Sequence, residues 1–94
     1  MKLVFCKNCW DVFKLSREVR SCTCGNCNGQ YKEDLIHAWY AGVTAVPLGF
    51  ANPSLQMAID DQPENGLGEL FDAFVIPKEC PTMENRTKLP ENVD

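Results

Sequence analysis

The spacing of the cysteines constrains this chain more than any other feature. Six stand at positions 6, 9, 22, 24, 27 and 80, so five fall within the first 27 residues. Cys6-Lys7-Asn8-Cys9 is a C-x2-C pair, and twelve residues later comes Cys22-Thr23-Cys24-Gly25-Asn26-Cys27. In a secreted protein of this size such a density implies a disulfide framework. The opening Met1-Lys2-Leu3-Val4-Phe5 carries one positive and three apolar residues before the first cysteine, which is not a secretory signal, and a cytoplasmic location is expected. Two short-spaced pairs separated by enough chain for a β-hairpin instead fit a tetrahedral thiolate site. Each tight turn aims two sulfurs at one point about 2.3 Å away, and the hairpin between them folds the second turn over the first.

The second turn offers three sulfurs for two places. Cys24 and Cys27 form a regular C-x2-C pair. Cys22 and Cys24 form a contracted C-x-C pair followed by Gly25, which takes the positive φ that turns backbone N–H groups toward sulfur. Asn28-Gly29 after Cys27 offers the same service, so spacing leaves both pairs open. The expected ligand set is Cys6, Cys9, Cys22 and Cys24, with Cys27 as the substitute for Cys22. Four thiolates with no other cofactor signal point to Zn2+, with iron as the other metal the spacing admits. Four protein ligands leave no open position for activating water, so the expected role is structural rather than catalytic.

The length makes a metal useful. A chain of 94 residues buries only about 60–65% of its unfolded surface, and its core is marginal without a staple. The composition is 45% hydrophobic and 23% charged, which excludes a disordered chain or a coiled coil. No apolar run approaches the roughly 18–20 residues of a membrane helix. Charge is lopsided. Residues 1–32 hold six basic residues against two acidic, or +4, and residues 33–94 hold three against eleven, or −8. Four thiolates around one divalent ion would lower the first half to about +2. A nucleic-acid partner is not expected, because such binders carry a basic stripe and a pI above about 9, whereas here the pI is near 4.9.

The knuckles Phe5-Cys6-Lys7-Asn8-Cys9 and Cys22-Thr23-Cys24-Gly25 resemble those of zinc-ribbon and rubredoxin-like domains. Residues 3–82 also resemble a family of small uncharacterised prokaryotic and phage-type proteins. The stretches that carry this resemblance are Ala45-Val46-Pro47-Leu48-Gly49-Phe50-Ala51-Asn52 and Phe71-Asp72-Ala73-Phe74-Val75-Ile76-Pro77-Lys78-Glu79. The second knuckle of that family is C-x-C-G, which implies Cys22 and Cys24 as ligands. Cys27 departs from its pattern. The resemblance implies a fold and no activity.

Along the chain, Lys2 to Phe5 is expected to be a strand. Trp10–Leu15 and Glu18–Cys22 are expected to pair as the hairpin of the metal site, with Gln30–Lys32 as a third strand. Leu35–Tyr40 and Thr44–Phe50 are expected to form a second hairpin, with Pro47 marking an edge strand or a bulge. Asn52 is expected to cap a helix of about ten residues, with Pro53 at its first position and Gln62-Pro63 at its stop. Leu70–Ile76 has the strongest strand pattern. The expected fold class is small α+β: zinc-ribbon β-hairpins extended by further strands and one short helix. Residues 1–80 would form the domain and 81–94 an extended tail.

Other residues receive plainer expectations. His37 faces solvent, Cys80 is a free thiol, Asp60-Asp61 is a solvated helix end, and Trp10, Trp39, Tyr31, Tyr40 and Phe50 belong to the core. The sequon Asn85-Arg86-Thr87 has no meaning in a cytoplasmic chain. No nucleophile lies at a recognisable distance from His37, and no Walker loop, Rossmann fingerprint or Ser/His/Asp order is present, so no enzyme is expected. A ligand site, if there is one, centres on the helix N-terminus, with Gly49, Asn52 and Ser54 joined by Arg20 and Tyr31. The expected function is a non-catalytic zinc-ribbon-type protein that binds a partner protein, with the edges of its short strands covered by homo-oligomerisation. One alternative is an oligomer that sequesters a small anionic, nucleotide-like signalling ligand, for which phage proteins that trap immune nucleotides are an analogy of role only. Another is an iron-thiolate redox protein.

Overall fold

Strand pairing in this chain mixes sequence neighbours with two long-range partnerships. A computed structural model describes residues 1–87. Its elements are β1 (Lys2–Cys6), β2 (Val12–Lys14), β3 (Arg20–Ser21), β4 (Asn28–Tyr31), β5 (Ala38–Ala41), β6 (Ala45–Phe50), α1 (Asn52–Asp60), β7 (Ala73–Val75) and β8 (Met83–Asn85). Eight strands form two four-stranded sheets, ordered β2-β1-β6-β7 and β3-β4-β5-β8. With the single helix among the described residues, the fold is α+β and mostly β. All pairings are antiparallel except β5 with β8. No helix of the described residues is long and apolar enough to cross a membrane.

Both expected hairpins are replaced by other pairings. Val12–Lys14 pairs with β1, and Arg20–Ser21 pairs with β4 in the other sheet. The chain between Cys9 and Cys22 therefore links two sheets instead of turning back on itself. In the same way β5 and β6 lie in different sheets. A further hairpin joins β4 to β5, with Lys32 N donating to His37 O at 2.8 Å. Its turn is organised by Asp34, whose Oδ1 accepts from the backbone N–H groups of Ile36 and His37, each at 2.9 Å. Its Oδ2 lies 2.6 Å from His37 Nδ1. The two backbone donors and the His37 ring hold the Asp34 carboxyl down to about 2. His37 is solvent-facing as expected, but it sits in this turn rather than in a strand.

Pro47 does not mark an edge. It stands opposite Val4 in β6, between β1 and β7. The bonds from Lys7 N to Thr44 O and from Phe50 N to Met1 O fix the antiparallel alternation. Position 47 then falls on a pair that exchanges no N–H with β1. Toward β7, the Pro47 carbonyl accepts from Ile76 N at 2.9 Å, and the next residue, Pro77, ends that ladder. The missing donor is therefore spent where pairing stops. The strong apolar run Leu70–Ile76 yields only the three-residue β7.

The core is small. It comprises Val4, Cys6, Phe13, Leu15, Cys22, Cys27, Ala38, Tyr40, Ile76 and Met83. Leu15, just past β2 of the first sheet, is fully buried and packs on β4 of the second. A side chain at Gly29 would meet Leu15 Cδ2 at 2.8 Å and the Trp39 carbonyl at 2.9 Å, so this glycine lets the two sheets close. Tyr31 adds a second tie, its hydroxyl accepting from Lys2 N at 2.9 Å. Of the aromatics expected inside, Tyr40 is buried and Tyr31, Trp39 and Phe50 are half-buried, whereas Trp10 is 77% exposed.

The domain extends past residue 80. Met83 is buried, and β8 pairs with β5, with Arg86 N donating to Tyr40 O at 2.8 Å. Two hydrogen bonds between the Gly42 backbone and the Thr87 hydroxyl continue that attachment. The boundary expected at 80 therefore lies too early, and the remainder of the expected tail, 88–94, lies outside the described residues.

Candidate metal centre

The chain reaches the site from two directions. Cys6 ends β1 in the first sheet, and Cys22 follows β3 in the second. Each cysteine pair sits in a tight turn closed by its own backbone. Trp10 N donates to Cys6 O at 2.7 Å, and Gly25 N donates to Cys22 O at 3.0 Å. In both turns the residue after the second cysteine has a positive φ: 64° at Trp10 and 83° at Gly25. Glycine takes that conformation freely. Trp10 bears the strain of about 1–2 kcal/mol that a side chain brings there, and its ring leans edge-on against Phe5 with centroids 5.4 Å apart.

The two turns bring the Sγ atoms of Cys6, Cys9, Cys22 and Cys24 within 4.8 Å of one another. Cys24 Sγ lies 3.8 Å from Cys6 Sγ and 3.6 Å from Cys22 Sγ. Sulfurs at the corners of a tetrahedron with metal–sulfur bonds of about 2.3 Å stand about 3.8 Å apart. The group is therefore compatible with one four-coordinate metal ion. Cys27 and Cys80 lie outside it. The contracted C-x-C pair is the one that joins the cluster, which does not include Cys27.

Hydrogen bonds explain why these sulfurs differ. Thr44 Oγ1 lies 3.3 Å from Cys6 Sγ and 3.2 Å from Cys27 Sγ. One hydroxyl has one proton. The arrangement that suits both neighbours has the Cys27 thiol donating to Thr44 and the Thr44 hydroxyl donating to a Cys6 thiolate. The Thr44 hydroxyl is the main cause that holds the Cys6 thiol down to about 5. Burial pushes the Cys27 thiol up to about 12, so it stays neutral. At Cys22, burial works against ionisation, but the Cys27 backbone N–H at 3.3 Å and the adjacent sulfur outweigh it and the thiol shifts down. Burial raises the Cys9 thiol, whose proton a bound ion would displace. Asn8 Nδ2 donates to Cys24 Sγ at 3.3 Å. Such donors offset the net negative charge of four thiolates around a divalent ion.

Two residues that braced no expectation support the turns. Asp11 Oδ2 accepts from Thr23 N at 2.9 Å and Thr23 Oγ1 at 3.0 Å, which latches one knuckle to the other. Thr44 reaches the site from the turn before β6 and stands 38 residues from Cys6. Neither has a spacing signal in the sequence, because both act through the way the sheets meet.

The expected ligand residues are dispersed. Asn52 is the first residue of α1 rather than its cap, which is Ala51, and no side chain caps the helix. Asn52 Oδ1 accepts from the Met1 nitrogen at 3.0 Å, and Ser54 Oγ accepts from Asp72 N at 2.8 Å. Gly49 lies under the ring of Phe74, and a side chain there would come within 2.4 Å of Phe74 Cζ. Tyr31 and Asn52 do share a groove, which Gly49, Ser54 and Arg20 do not line. Asp60 and Asp61 are exposed, as expected of a solvated helix end, and Asp60 accepts from Gln56 at 3.0 Å. Cys80 is half-buried, and the Thr82 hydroxyl at 3.5 Å pulls its thiol down.

Comparison of the chain with protein-family models, curated proteins and solved structures finds no match.

The geometry separates Cys22 from Cys27 experimentally. Cys22→Ser is expected to abolish stoichiometric metal retention, and Cys27→Ser is expected to keep one ion per chain. Elemental analysis of the purified variants, read beside circular dichroism, checks this. The reverse pattern would exchange the two residues' roles.

Proposed function

We propose that the protein is a non-catalytic, zinc-stabilised binding module of the cytoplasm, in which one Zn2+ held by Cys6, Cys9, Cys22 and Cys24 clips two small sheets together. The observation that carries this reading is the convergence of the four sulfurs within 4.8 Å. When bound, the ion supplies cross-linking and charge neutralisation. Four thiolates complete its shell, which leaves no position for a substrate or a reactive water. The matched closure of both knuckles supports the resemblance to zinc ribbons. Short strands with open edges at β2, β7, β3 and β8 suit a chain that works by pairing with another protein.

Magnitudes favour a structural role. Metal binding to structural zinc sites releases about 10–16 kcal/mol at pH 7, as much as the whole stability of a small domain, about 5–15 kcal/mol. The protein purified without added metal is expected to carry one zinc per chain, and chelation is expected to abolish its cooperative thermal transition, with recovery on adding zinc. A red, reducible preparation would instead assign the four thiolates to an iron electron carrier. An unchanged transition after complete metal removal would contradict the structural role.

A specific observation favours a second reading, binding of a small anion, at a place other than the helix N-terminus. A cleft of about 620 Å3 is lined by Arg17, Lys32, Arg86, Trp39, Tyr31 and Glu33, among others. The Arg86 guanidinium lies 5.0 Å from the Trp39 ring centre, and Glu84 holds both Lys32 at 3.3 Å and Arg86 at 3.1 Å. Cations beside an aromatic face suit a planar anion such as a nucleotide. Adenosine monophosphate is expected to quench the fluorescence of Trp39 in a Trp10→Phe protein, less strongly as salt rises. No quenching at any salt concentration would remove this reading.

A further inference from the structure

Every residue from Ile59 to Val75 is exposed, although this span carries Ile59, Leu67, Leu70, Phe71, Phe74 and Val75. Leu67 and Leu70 are 94% and 92% exposed, and α1 beside them contributes no buried residue. Scattered apolar residues on a surface need no explanation, but a contiguous set marks an interaction site. Two grooves of about 430 and 350 Å3 run along α1 and share Ala58 and Glu69. Asp61 and Asp72 add carboxylates to one of them, and no Lys or Arg lines either. The face is apolar with an acidic rim.

The same chain carries the complementary surface. A groove of about 470 Å3 is lined by Lys2, Lys14, Leu35 and Ile36, and by no carboxylate. Leu35 and Ile36 are themselves exposed. This basic, apolar groove reaches Asn52, where α1 begins, so the two surfaces adjoin at one end of the helix.

We infer that a second copy of this chain covers the acidic apolar face with its basic apolar groove. Because each copy holds both surfaces, one two-fold operation satisfies both contacts at once and closes the assembly at a dimer. Apolar burial supplies the affinity, and the opposed charges fix which face meets which. The net charge of −4 per copy does not prevent this, because repulsion beyond about 8 Å is screened at physiological salt. A foreign basic protein would also suit the acidic face, but it would leave Leu35, Ile36 and their lysines uncovered. The inference is independent of which metal the cysteines hold.

Sedimentation equilibrium on the full, metal-loaded chain tests it. The expected species has twice the chain mass of 10.6 kDa. Leu67→Ser with Leu70→Ser is expected to weaken the dimer by about tenfold or more and to leave metal content and circular dichroism unchanged, since both side chains are exposed. Glu69→Lys and Lys14→Glu are each expected to weaken it. An equimolar mixture of those two variants is expected to restore it, because each hybrid contact again joins opposite charges. A wild-type chain that stays monomeric at every concentration overturns the inference. So does a dimer indifferent to the leucine substitutions, or a mixture that fails to recover. Metal content measured on the same samples keeps this result separate from the zinc reading.

Discussion

The fold depends on four sulfur atoms being brought to one point from two separate sheets. Cys6 and Cys9 arrive at the end of β1, and Cys22 and Cys24 arrive from β3. Beside them, the sheets are tied by Leu15 over Gly29 and by the Tyr31 hydroxyl on Lys2 N. Of the ten buried core residues, Cys6, Cys22 and Cys27 are three, so the apolar side chains that remain form a thin layer around Leu15 and its neighbours. A domain of this size needs a staple, and the cysteine cluster stands where a staple joins the most chain.

The environment of each sulfur divides the labour among them. Cys6 and Cys22 receive donors, which favours the thiolate form that binds metal. Cys27 is just as deeply buried, but burial pushes its thiol up, and it remains a small apolar core residue beside the site. Thr44 thus joins a cysteine of the cluster to one outside it. The latch from Asp11 to Thr23 acts at a different level, because it fixes the relative position of the knuckles through backbone and hydroxyl donors. Positioning of the cluster therefore comes from outside the cysteines, by contacts that exist only when both sheets are in place.

The cluster of four cysteines was legible in the sequence because it is local. C-x2-C and C-x-C-G each encode a tight turn, and Gly25 signals the positive φ that follows the second cysteine. The helix was legible for the same reason, although its cap was not, since Asn52 turns its side chain to Met1 instead. Pairing was not legible. The segments 10–15 and 18–22 have strand character, but which neighbour each chooses is decided by long-range packing, such as Leu15 over Gly29. Pro47 misled for a related reason: its missing N–H matters only on the side that bonds, and alternation places that side at the end of a ladder. The strong pattern of Leu70–Ile76 expressed apolar content rather than burial, and most of it remains on the surface.

The division of charge also has a structural meaning. The basic residues of the first third and the acidic residues beyond α1 line different grooves, so the chain presents two unlike surfaces around one cysteine cluster. That centre is the claim from which the rest follows. X-ray absorption at the metal edge of the purified protein examines it directly. The account predicts a single shell of four sulfur neighbours at about 2.3 Å around zinc, with no nitrogen or oxygen in the shell. Three or fewer sulfurs, or a light-atom ligand among them, would contradict a closed four-thiolate site.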